Sequence, residues 1–531
     1  MKRFVLAVTI SLLTNGLAFA WSGSPVRVDG VTTGPALVAA AHDGAFGVLI
    51  AWRPGGSTGP VRVSHLLGDG STDPTWPQGG LTLSSGSAAC TGLNAIADAH
   101  GGAYIYWQEG QSLYLTRVLD SGAVAPGWYA RGRRLGLLSS NAHRPWAESD
   151  AWGGLYMGWF QGNAQGFQTP VVSAIHLGLN GSGAGGWPNS ARSLPLDPDF
   201  VEWVAAASFA ISEDGGVWAL VATGRLQDSV GTAGEWRLGR FLANGSLEPG
   251  RPAQGTVLAT FDPTALELNV PRIAIGAVVA DRQGGVLTAM ATVSENGVAR
   301  WSATGQLERR LSDGSLHPAQ GPPRQLGFWY ESAIECDYVG ACEPAAYSLR
   351  LIPEAAGGIA LASPQSYTHA GLVLFLERVD LFGARIASLV DGWGPSPDYQ
   401  MTPNLGYLLS SFDVSGPGPY NPAPELRLRW SDGRSTLLEE DFSPYNPVYA
   451  DLAAVGLADG GAIAVWSRIL GNTGLFAQRV GADGSVLGAP PSPLVTSRLR
   501  LTRSGQNLSA AWPAGAPGTL RVFDLQGRDI A

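Results

Sequence analysis

The sequence predicts an all-β fold, and two observations support that prediction. A short element with the pattern D-x-x-G-G-x-x-x-x-W recurs along the chain, and most copies are followed by a second alternating run that ends in a glycine turn. The 72 glycines and 36 prolines fall between short apolar runs and follow no collagen-like period, as turn residues do in β proteins. We therefore expect short strands joined as hairpins through nearly the whole chain.

The first run of the repeat joins a tight turn to a strand. A glycine pair suits a left-handed backbone there, and an aspartate four residues ahead of the second glycine can hydrogen-bond nearby main chain. The alternation that follows puts successive side chains on opposite sheet faces. The repeat positions are Asp43, Gly47 and Trp52; Asp98, Gly102 and Trp107; Asp150, Gly154 and Trp159; Gly216; Gly285; Gly358; and Gly461 with Trp466.

The second run of the repeat is a strand that ends in a turn, as in LYLTRVLDSG and FAQRVGADG. Three tryptophans each lie six residues after a turn glycine, namely Trp76, Trp128 and Trp187 after Gly70, Gly122 and Gly181. A ligand-stacking residue need not recur in register. The recurrence therefore predicts that these indoles pack between units.

The repeat length predicts the architecture. Successive second glycines lie 52 to 73 residues apart, except for a last interval of 103 residues. That interval contains Gly406 and the segment ELRLRWSDG, which predicts a degenerate unit. Units of this size cannot bury both sheet faces alone, so they must stack. We expect a β-propeller of seven or eight blades, with eight favoured, and a short C-terminal β-extension. An open β-solenoid is the rival, but its repeats are shorter, about 20–29 residues.

The first and last units predict how the ring closes. The strands of the first unit are expected at residues 35–40, 48–52, 60–67 and 81–84, and those of the last at residues 451–457, 462–468 and 475–480. A fourth strand of the last unit is interrupted by Pro490, Pro491 and Pro493. We expect residues 26–28 from the N-terminus to supply the missing strand.

The N-terminus has the features of an export signal. Lys2 and Arg3 precede an apolar stretch, and Ala18-Phe19-Ala20 forms an A-x-A site, which predicts a signal peptide over residues 1–20 with Trp21 as the mature N-terminus. The stretch is shorter than the ~20 residues of a membrane-spanning helix. We expect a monomer that is secreted, periplasmic or at the cell surface, with a propeller over residues 21–494.

The charge balance excludes one class of partner. The chain carries 34 Lys+Arg against 43 Asp+Glu, for a formal net charge of -9. Phosphate binding usually needs a clustered basic excess. A nucleic-acid surface is therefore not expected.

The three cysteines are interpreted by compartment. Cys336 and Cys342 bracket a short Gly-containing segment, and in an oxidising compartment a local disulfide is favoured. A metal site is the competing interpretation, but two thiolates without a companion pair fall short of a ligand set. Cys90 is expected to be a small buried hydrophobe.

With these residues in view, the D-x-x-G-G-x-x-x-x-W element followed by x-x-x-R-V-x-x-x-G resembles the repeat of exported bacterial β-propeller proteins. The tail, residues 495–531, changes character. Its segment RVFDLQGR (residues 521–528) is similar to a strand and turn of immunoglobulin-like domains from hook-capping proteins and type IX sorting domains. The resemblance implies a partial domain of that kind, and a short β-extension packed on the propeller is the alternative.

Several short motifs invite an enzymatic interpretation, but their context predicts loops. Gly55 to Gly59 satisfies G-x-S-x-G and Gly181 to Gly186 satisfies G-x-G-x-x-G, but a strand-like run follows the first and Trp187-Pro188 the second, where a helix would be needed. Asp69 to Asp73 resembles half a calcium loop without the closing glutamate.

Other polar groups are also given structural roles. His42 and His100 flank the repeat turn and are assigned to turn chemistry, no histidine pair has zinc-ligand spacing, and residues 439–441 are expected in a solvated loop. The segment 212–218 resembles the Asp-box of sialidase-type propellers only in part. Catalytic residues stay unknown, and we expect neither a metal nor a cofactor.

Two functions follow from this pattern. The favoured one is an exported, non-catalytic propeller that presents loops for protein or glycan binding or acts as an extracellular scaffold, since inter-unit insertions of repeat proteins gather on one face. The longest candidate loops are residues 311–348 and 398–424. The alternative is a propeller glycoside hydrolase or polysaccharide lyase.

Overall fold

The computed structural model describes most of the repeat region, and β-strands are the only regular secondary structure in its described residues. None of those residues forms a helix long and apolar enough to cross a membrane. The ranges described are residues 21, 24–28, 37–54, 59–138, 145–150, 152–161, 171–196, 206–227, 230–261, 274–281, 283–295, 300–319, 323–331, 350–353, 359–367, 371–379, 385–393, 398–402, 406–413, 425–430, 435–440, 449–468, 473–486, 500–504 and 507–511.

The strands pair in antiparallel sets of four. Sheets 1 to 4 are formed by β2 (Leu37–His42), β3 (Val48–Arg53), β4 (Arg62–Leu66) and β5 (Leu81–Thr82); β6 (Cys90–Ala97), β7 (Ala103–Glu109), β8 (Ser112–Val118) and β9 (Arg133–Leu137); β10 (Trp146–Ser149), β11 (Leu155–Gln161), β12 (Val171–Leu177) and β13 (Arg192–Pro195); and β14 (Ala206–Ile211), β15 (Val217–Gln227), β16 (Val230–Phe241) and β17 (Thr256–Phe261).

Sheets 5 to 8 continue the pattern along the chain. They are formed by β18 (Ala274–Ala280), β19 (Val286–Glu295), β20 (Arg300–Arg310) and β21 (Arg324–Glu331); β22 (Arg350–Pro353), β23 (Ile359–Tyr367), β24 (Gly371–Val379) and β25 (Arg385–Trp393); β26 (Asp398–Thr402), β27 (Gly406–Asp413), β28 (Glu425–Trp430) and β29 (Ser435–Glu440); and β30 (Tyr449–Gly456), β31 (Ala462–Arg468) and β32 (Gly474–Val480) with β1 (Val26–Arg27). One parallel bridge, Tyr330 to Ser366, links sheets 5 and 6.

Contacts between successive sheets form a closed ring. Strand β2 contacts β6, β6 contacts β10, β11 contacts β14, β14 contacts β18, β18 contacts β22, β25 contacts β27, β26 contacts β30, and β30 contacts β2. Four-stranded antiparallel sheets closed radially in this way are a β-propeller. The fold-class prediction is confirmed, and sheet 7 lies where the degenerate unit was expected. The number of blades stays a prediction.

Ring closure follows the predicted route. Strand β1 pairs with β32, with Val26 opposite Ala477 and Arg27 opposite Phe476, and the Val28 amide donates to the Leu475 carbonyl at 2.8 Å. The N-terminal segment is thus the outermost strand of sheet 8. The predicted strands of the first and last units match β2 to β5 and β30 to β32 to within a few residues.

The apolar core is divided among the joints between sheets. Between sheets 8 and 1, Val455 and Ile463 pack with Val38 and Ile50. Similar clusters occupy the joints between sheets 1 and 2, 2 and 3, 3 and 4, 4 and 5, and 7 and 8. Alternation along each strand therefore points side chains at two neighbouring sheets, as the repeat pattern predicts.

The meander separates the connections into two ends of the ring. Turns between first and second strands and between third and fourth strands lie at one end, here called the turn end. Connections between second and third strands, and between sheets, leave from the other end, here called the loop end. The two candidate loops need correction, because residues 311–348 contain β21 and residues 398–424 contain β26 and β27. Residues 311–323 join β20 to β21, and residues 403–405 join β26 to β27. The rest of each predicted loop lies outside the described residues.

Several predicted features lie outside the described residues. They are the signal peptide over residues 1–20, Cys336 and Cys342, Gly358 and the segment 521–528. In the tail, β33 (Arg500–Ser504) and β34 (Asn507–Ala511) form a hairpin. The boundaries 21–494 and 495–531 stay predictions. Glu439 and Glu440 belong to β29, which corrects their assignment to a loop, because the end of β29 pairs with β28.

Candidate functional site

The repeat aspartates organise the turn end. In four units, one carboxylate oxygen accepts two backbone amides, from the residues two and four positions later, at 2.6–2.8 Å. These aspartates are Asp43, Asp98, Asp150 and Asp281. The predicted hydrogen bonding to main chain is therefore confirmed for each of them.

The two glycines of the repeat have different roles. The first adopts a left-handed backbone, as at Gly101 and Gly153, with φ of 91° and 83°. The second glycine is needed because the backbone of the third strand lies too close for a side chain. A Cβ on Gly102 would lie 2.3 Å from the Val118 carbonyl oxygen of that strand. In the first copy Phe46 takes the left-handed position with φ of 72°, a conformation that favours glycine.

The second carboxylate oxygen of each aspartate receives a basic side chain from the third strand of the same sheet. Arg117 reaches Asp98 at 2.6 Å, and Arg309 reaches Asp281 at 2.8 Å. We call each such pair a pin. The pin explains why the second run of the repeat carries arginine, a role that sequence reasoning missed although the signal recurs in R-V.

Two units place the aspartate differently but keep the pin. Asp214 and Asp459 lie two residues before the second glycine, and each accepts that glycine's amide at 3.1 and 2.9 Å. Arg240 reaches Asp214 and Arg479 reaches Asp459, both at 2.6 Å. A basic side chain from the third strand is thus the constant part of the pin. In the Asp-box-like segment, Ser212 also donates to Asp214.

Histidine replaces arginine in the pin of sheet 1. The ring of His65 lies between two carboxylates, with Nδ1 2.9 Å from Asp73 and Nε2 3.2 Å from Asp43. Both ring nitrogens face acceptors, so the imidazolium form satisfies the site. These hydrogen bonds outweigh the opposing effect of burial and raise the pKa of His65, while the same hydrogen bonds help to lower the pKa of Asp43 and Asp73. Asp73, taken above as half a calcium loop, is thus a pin residue.

The pin of sheet 3 also uses histidine, in a different setting. His176 Nε2 lies 2.7 Å from Asp150, and its ring stacks on Tyr156 with 3.7 Å between centroids. Burial lowers the pKa of His176 despite the carboxylate. One carboxylate holds this ring, whereas two hold His65, and the two pKa shifts accordingly have opposite signs.

The recurring tryptophans join neighbouring units, as predicted. The indole of Trp76 packs on Gly122 of the next sheet and donates to the Asp120 carbonyl at 2.7 Å. Trp128 donates to the Leu179 carbonyl at 2.8 Å. Trp187 packs on Gly245 in the same way. In sheet 4 Arg251 stands in this position, close to Gly314.

Trp21 belongs to the same series. It is fully buried, packs on Gly70 and donates its Nε1–H to the Gly68 carbonyl at 3.0 Å. It precedes Val26 of β1 by five residues, the spacing that separates Trp76 from Leu81 of β5. The N-terminal segment therefore supplies a whole joint, both indole and strand.

The other repeat tryptophans and Cys90 are core residues. Trp52, Trp107, Trp159 and Trp466 are buried in the joints. Cys90 is buried as expected, and burial raises the pKa of its thiol to about 11.

The two glycine-rich motifs are parts of hairpins. Strand β3 precedes Gly59, and β4 begins three residues after it. Gly181 and Gly186 take left-handed backbones, and Gly183 bridges to Leu177. No helix follows either motif in the part of the chain that the structure describes, in agreement with their interpretation as loops.

Three exposed side chains lie on consecutive turns at the inner rim of the turn end. They are His100, Trp152 and Glu213, in the turns that follow the innermost strands β6, β10 and β14. Trp152 is 84% exposed. The His100 ring lies against Gly153, where a Cβ would come within 2.5 Å of Nδ1. We call these three residues the rim stripe.

The turns under the rim stripe are fixed by hydrogen bonds. His100 Nδ1–H donates to the Asp98 carbonyl at 2.9 Å, which confirms its assignment to turn chemistry and leaves Nε2 as an acceptor. The Trp152 amide donates to Asp150 at 2.7 Å. Tyr156 Oη donates to the Gly215 carbonyl at 2.8 Å and ties the second turn to the third. The stripe is therefore held on rigid backbone.

One carboxyl of the innermost strands differs from all those in pins. Glu148 of β10 is solvent-accessible yet lies among densely packed inner strands, and this crowding raises its pKa to about 7. It has no hydrogen-bond or ionic partner within the described ranges. Equivalent positions in sheets 1, 2 and 4 are Ala41, Ile96 and Ala210. The sequence repeat did not identify Glu148. The position is apolar in those three sheets, and one polar residue in a single copy forms no recurring pattern.

Metal-ligating side chains are not grouped in the described part of the chain. No set of three or more histidine, cysteine or acidic residues there is arranged to hold a metal ion. A shallow cavity of about 380 Å³ between sheets 3 and 4 is lined by Arg192, Ser193, Phe241 and Leu247 among others.

Comparison with known proteins yields remote structural likenesses. No family model matches the chain, and no curated protein matches it. Among solved structures, a Dos1 propeller is similar at 9% identity and a TM-score of 0.37, with 86% of this chain and 95% of that chain covered. An ulvan lyase is similar at 10% identity and a TM-score of 0.32, covering 72% and 90%.

A puromycin hydrolase is similar at 14% identity and a TM-score of 0.37, with 93% of this chain covered. The present chain spans 61% of the length of that protein. At these TM-scores and identities no function follows from the likenesses. The propeller assignment rests on strand pairing and on the closed ring of contacts.

Proposed function

We propose that this chain is an exported, non-catalytic β-propeller that binds an extracellular protein or glycan. The observation that supports the proposal is the use of the repeat carboxylates. Each of Asp43, Asp98, Asp150 and Asp281 gives one oxygen to its own turn and the other to a basic side chain. Groups committed in this way fix the turns of their own sheets, and rigid turns are a suitable support for binding residues.

Export rests on the N-terminal sequence. The basic start and the A-x-A site favour removal of residues 1–20. The full burial of Trp21 at the joint between sheets 8 and 1 agrees with a mature chain that begins near this residue. We expect the mature protein to be a monomer with no nucleic-acid partner.

One experiment separates binding from catalysis. The protein without residues 1–20 is incubated with a panel of extracellular polysaccharides, and retention on each polymer is measured together with release of reducing ends and of unsaturated uronate. Retention without product supports the proposal. Product release from any polymer overturns the non-catalytic assignment. Failure to bind any polysaccharide or any cross-linked surface protein overturns the binding assignment.

A hydrolase or lyase is the second candidate, and Glu148 is the observation that favours it. A carboxyl with a pKa of about 7 on an innermost strand has the protonation behaviour of a general acid. The variant Glu148→Gln keeps the size of the side chain and removes its acidity. If a polymer is cleaved, this variant is expected to lose about 100-fold or more in turnover with retained binding.

A further inference from the structure

We infer that the rim stripe of His100, Trp152 and Glu213 is a binding site for neutral oligosaccharides. This inference rests on the proposed function and names a ligand class and a location for it. Its first support is Trp152, which is 84% exposed, whereas the tryptophans of the joints are buried. An exposed indole face can pack against the apolar face of a sugar ring. Exposing the indole to water is unfavourable, and a bound sugar ring removes that exposure.

The second support is the hydrogen-bonding capacity on both sides of the indole. The Nδ1–H of His100 is already donated to a carbonyl, so in the neutral imidazole Nε2 presents a lone pair. That nitrogen and the Glu213 carboxylate, which is exposed, have no partner among the residues that the structure describes. Acceptors flanking an aromatic face match the hydroxyl donors at the edge of a pyranose ring.

The third support is the rigidity of the stripe. Trp152 is held through its amide by Asp150, which is itself pinned by His176. The Gly153 position must lack a side chain, because the His100 ring occupies that space. Backbone that is ordered before binding reduces the entropy that binding costs.

Charge and shape select the ligand class. The exposed Glu213 lies on the turn that Tyr156 ties to its own sheet, and the chain has a net charge of -9, so uronates, sulfated sugars and acidic peptides are disfavoured. A protein partner would call for a continuous apolar patch, but the neighbours of Trp152 on the stripe are polar. Neutral hexose or pentose oligosaccharides satisfy both conditions.

Binding to immobilised oligosaccharides tests the inference. The panel contains oligomers of glucose, mannose, xylose and N-acetylglucosamine, together with uronate oligomers as charged probes. We expect binding to at least one neutral oligomer, and Trp152→Ala to weaken it about tenfold or more, which corresponds to about 1.4 kcal/mol. His100→Ala and Glu213→Gln are expected to weaken it less. Tyr129→Ala is the matched control, because Tyr129 is also exposed, at 64%, but belongs to the connection between β8 and β9 and not to a turn that follows an innermost strand.

The outcomes separate this inference from the proposed function. Neutral-sugar binding that is unchanged in Trp152→Ala, or binding confined to uronates or to a protein, overturns the rim stripe and leaves a binding propeller. Loss of binding in Tyr129→Ala to the same extent as in Trp152→Ala also overturns it. A chain that binds neither saccharides nor proteins overturns both. A thermal unfolding curve for each variant shows that the ring is intact.

Discussion

The joint between sheets 1 and 2 and the joint between sheets 8 and 1 are built from the same parts, but the parts come from different places in the chain. In the first, Trp76 follows the turn of its own sheet and caps Gly122. In the second, the residue at the equivalent position is Pro490, and Trp21 from the other end of the chain caps Gly70 instead. Position in the ring, not order in the chain, therefore decides which residue type is required.

The two joints differ in how the indole is tethered. Trp76 is joined to its sheet by a few residues on either side, so little entropy is lost when it docks. Trp21 follows the proposed export cleavage site directly, so cleavage there would make it the N-terminal residue, and it is held through the β1 and β32 pairing. Chain ends open locally at low cost. The closing joint is thus where we expect the ring to open first.

The largest effect is expected from removing the N-terminal strand. Deletion of residues 21–28 takes away the indole, the β1 ladder and the buried Val28 together, and should lower the melting temperature more than any single substitution in the ring. Trp21→Ala alone should cost about 3–5 kcal/mol, the usual range for a buried tryptophan. Circular dichroism melts of the deletion, Trp21→Ala and Trp76→Ala give the comparison. An unchanged melting temperature for the deletion would show that β1 does not close the ring.

The pins give the next largest effect. Here the larger loss of stability is expected in sheet 2 and the smaller one in sheet 8. Asp98 is fully buried beside Arg117, whereas the Asp459 side chain beside Arg479 is 34% exposed. Arg117→Met leaves a buried charge without a partner, which costs about 3–5 kcal/mol, and Arg479→Met should cost less because water reaches Asp459. Denaturant unfolding of both variants measures the difference. Equal losses would mean that the pairing with aspartate is not what the arginines contribute.

Much of the architecture could be predicted because it repeats. The glycine and aspartate positions and the six-residue spacing of Trp76 predict turns and joints without knowledge of any contact. The strand at residues 26–28 could be predicted from the prolines that interrupt the last unit. These are features in which each copy supports the interpretation of the others.

Other features could not be predicted, for physical reasons. The partner of Asp98 is Arg117, and identifying it requires the register between β7 and β8, which the letters alone do not fix. The five-residue spacing between Trp21 and Val26 could have predicted the role of Trp21. The tryptophan was instead interpreted only as the residue after the export site. The exposure of Trp152 also has no sequence signal, since buried and exposed indoles occur in the same repeat.

The pin of sheet 1 contains a histidine that changes its charge with pH, whereas the pin of sheet 2 contains an arginine. The pKa of His65 is raised above 6.5, so its contribution to stability is fully present below that pH and is lost as the pH rises through the native value. Asp43 and Asp73 have lowered pKa values, so their contribution is present above about pH 4 and is lost in acid. The free energy of unfolding should fall on the alkaline side by at most about 1.4 kcal/mol per pH unit, the slope expected for one proton, and denaturant unfolding at a series of pH values measures it.

A substitution at His65 isolates this effect. In His65→Gln the loss of stability relative to the unmodified protein should be largest between about pH 4 and pH 6.5, where the histidine and both carboxylates are charged, and should shrink as the pH rises. The pin of sheet 2 provides the control, because arginine stays protonated over this range and the penalty of Arg117→Met should not shrink on the alkaline side. A His65→Gln penalty that is constant with pH would contradict a charged histidine between Asp43 and Asp73.

The smallest effect is expected at Trp152, which lies outside the joints. Trp152 is 84% exposed, and its turn is held by the backbone amides that Asp150 accepts, which do not depend on the indole. Trp152→Ala should therefore change the unfolding free energy by no more than about 0.5 kcal/mol, against about 3–5 kcal/mol for Trp76→Ala. Paired denaturant curves test this. A large loss at Trp152 would mean that its indole is a structural contact, and the free face required for a sugar ring would then not exist.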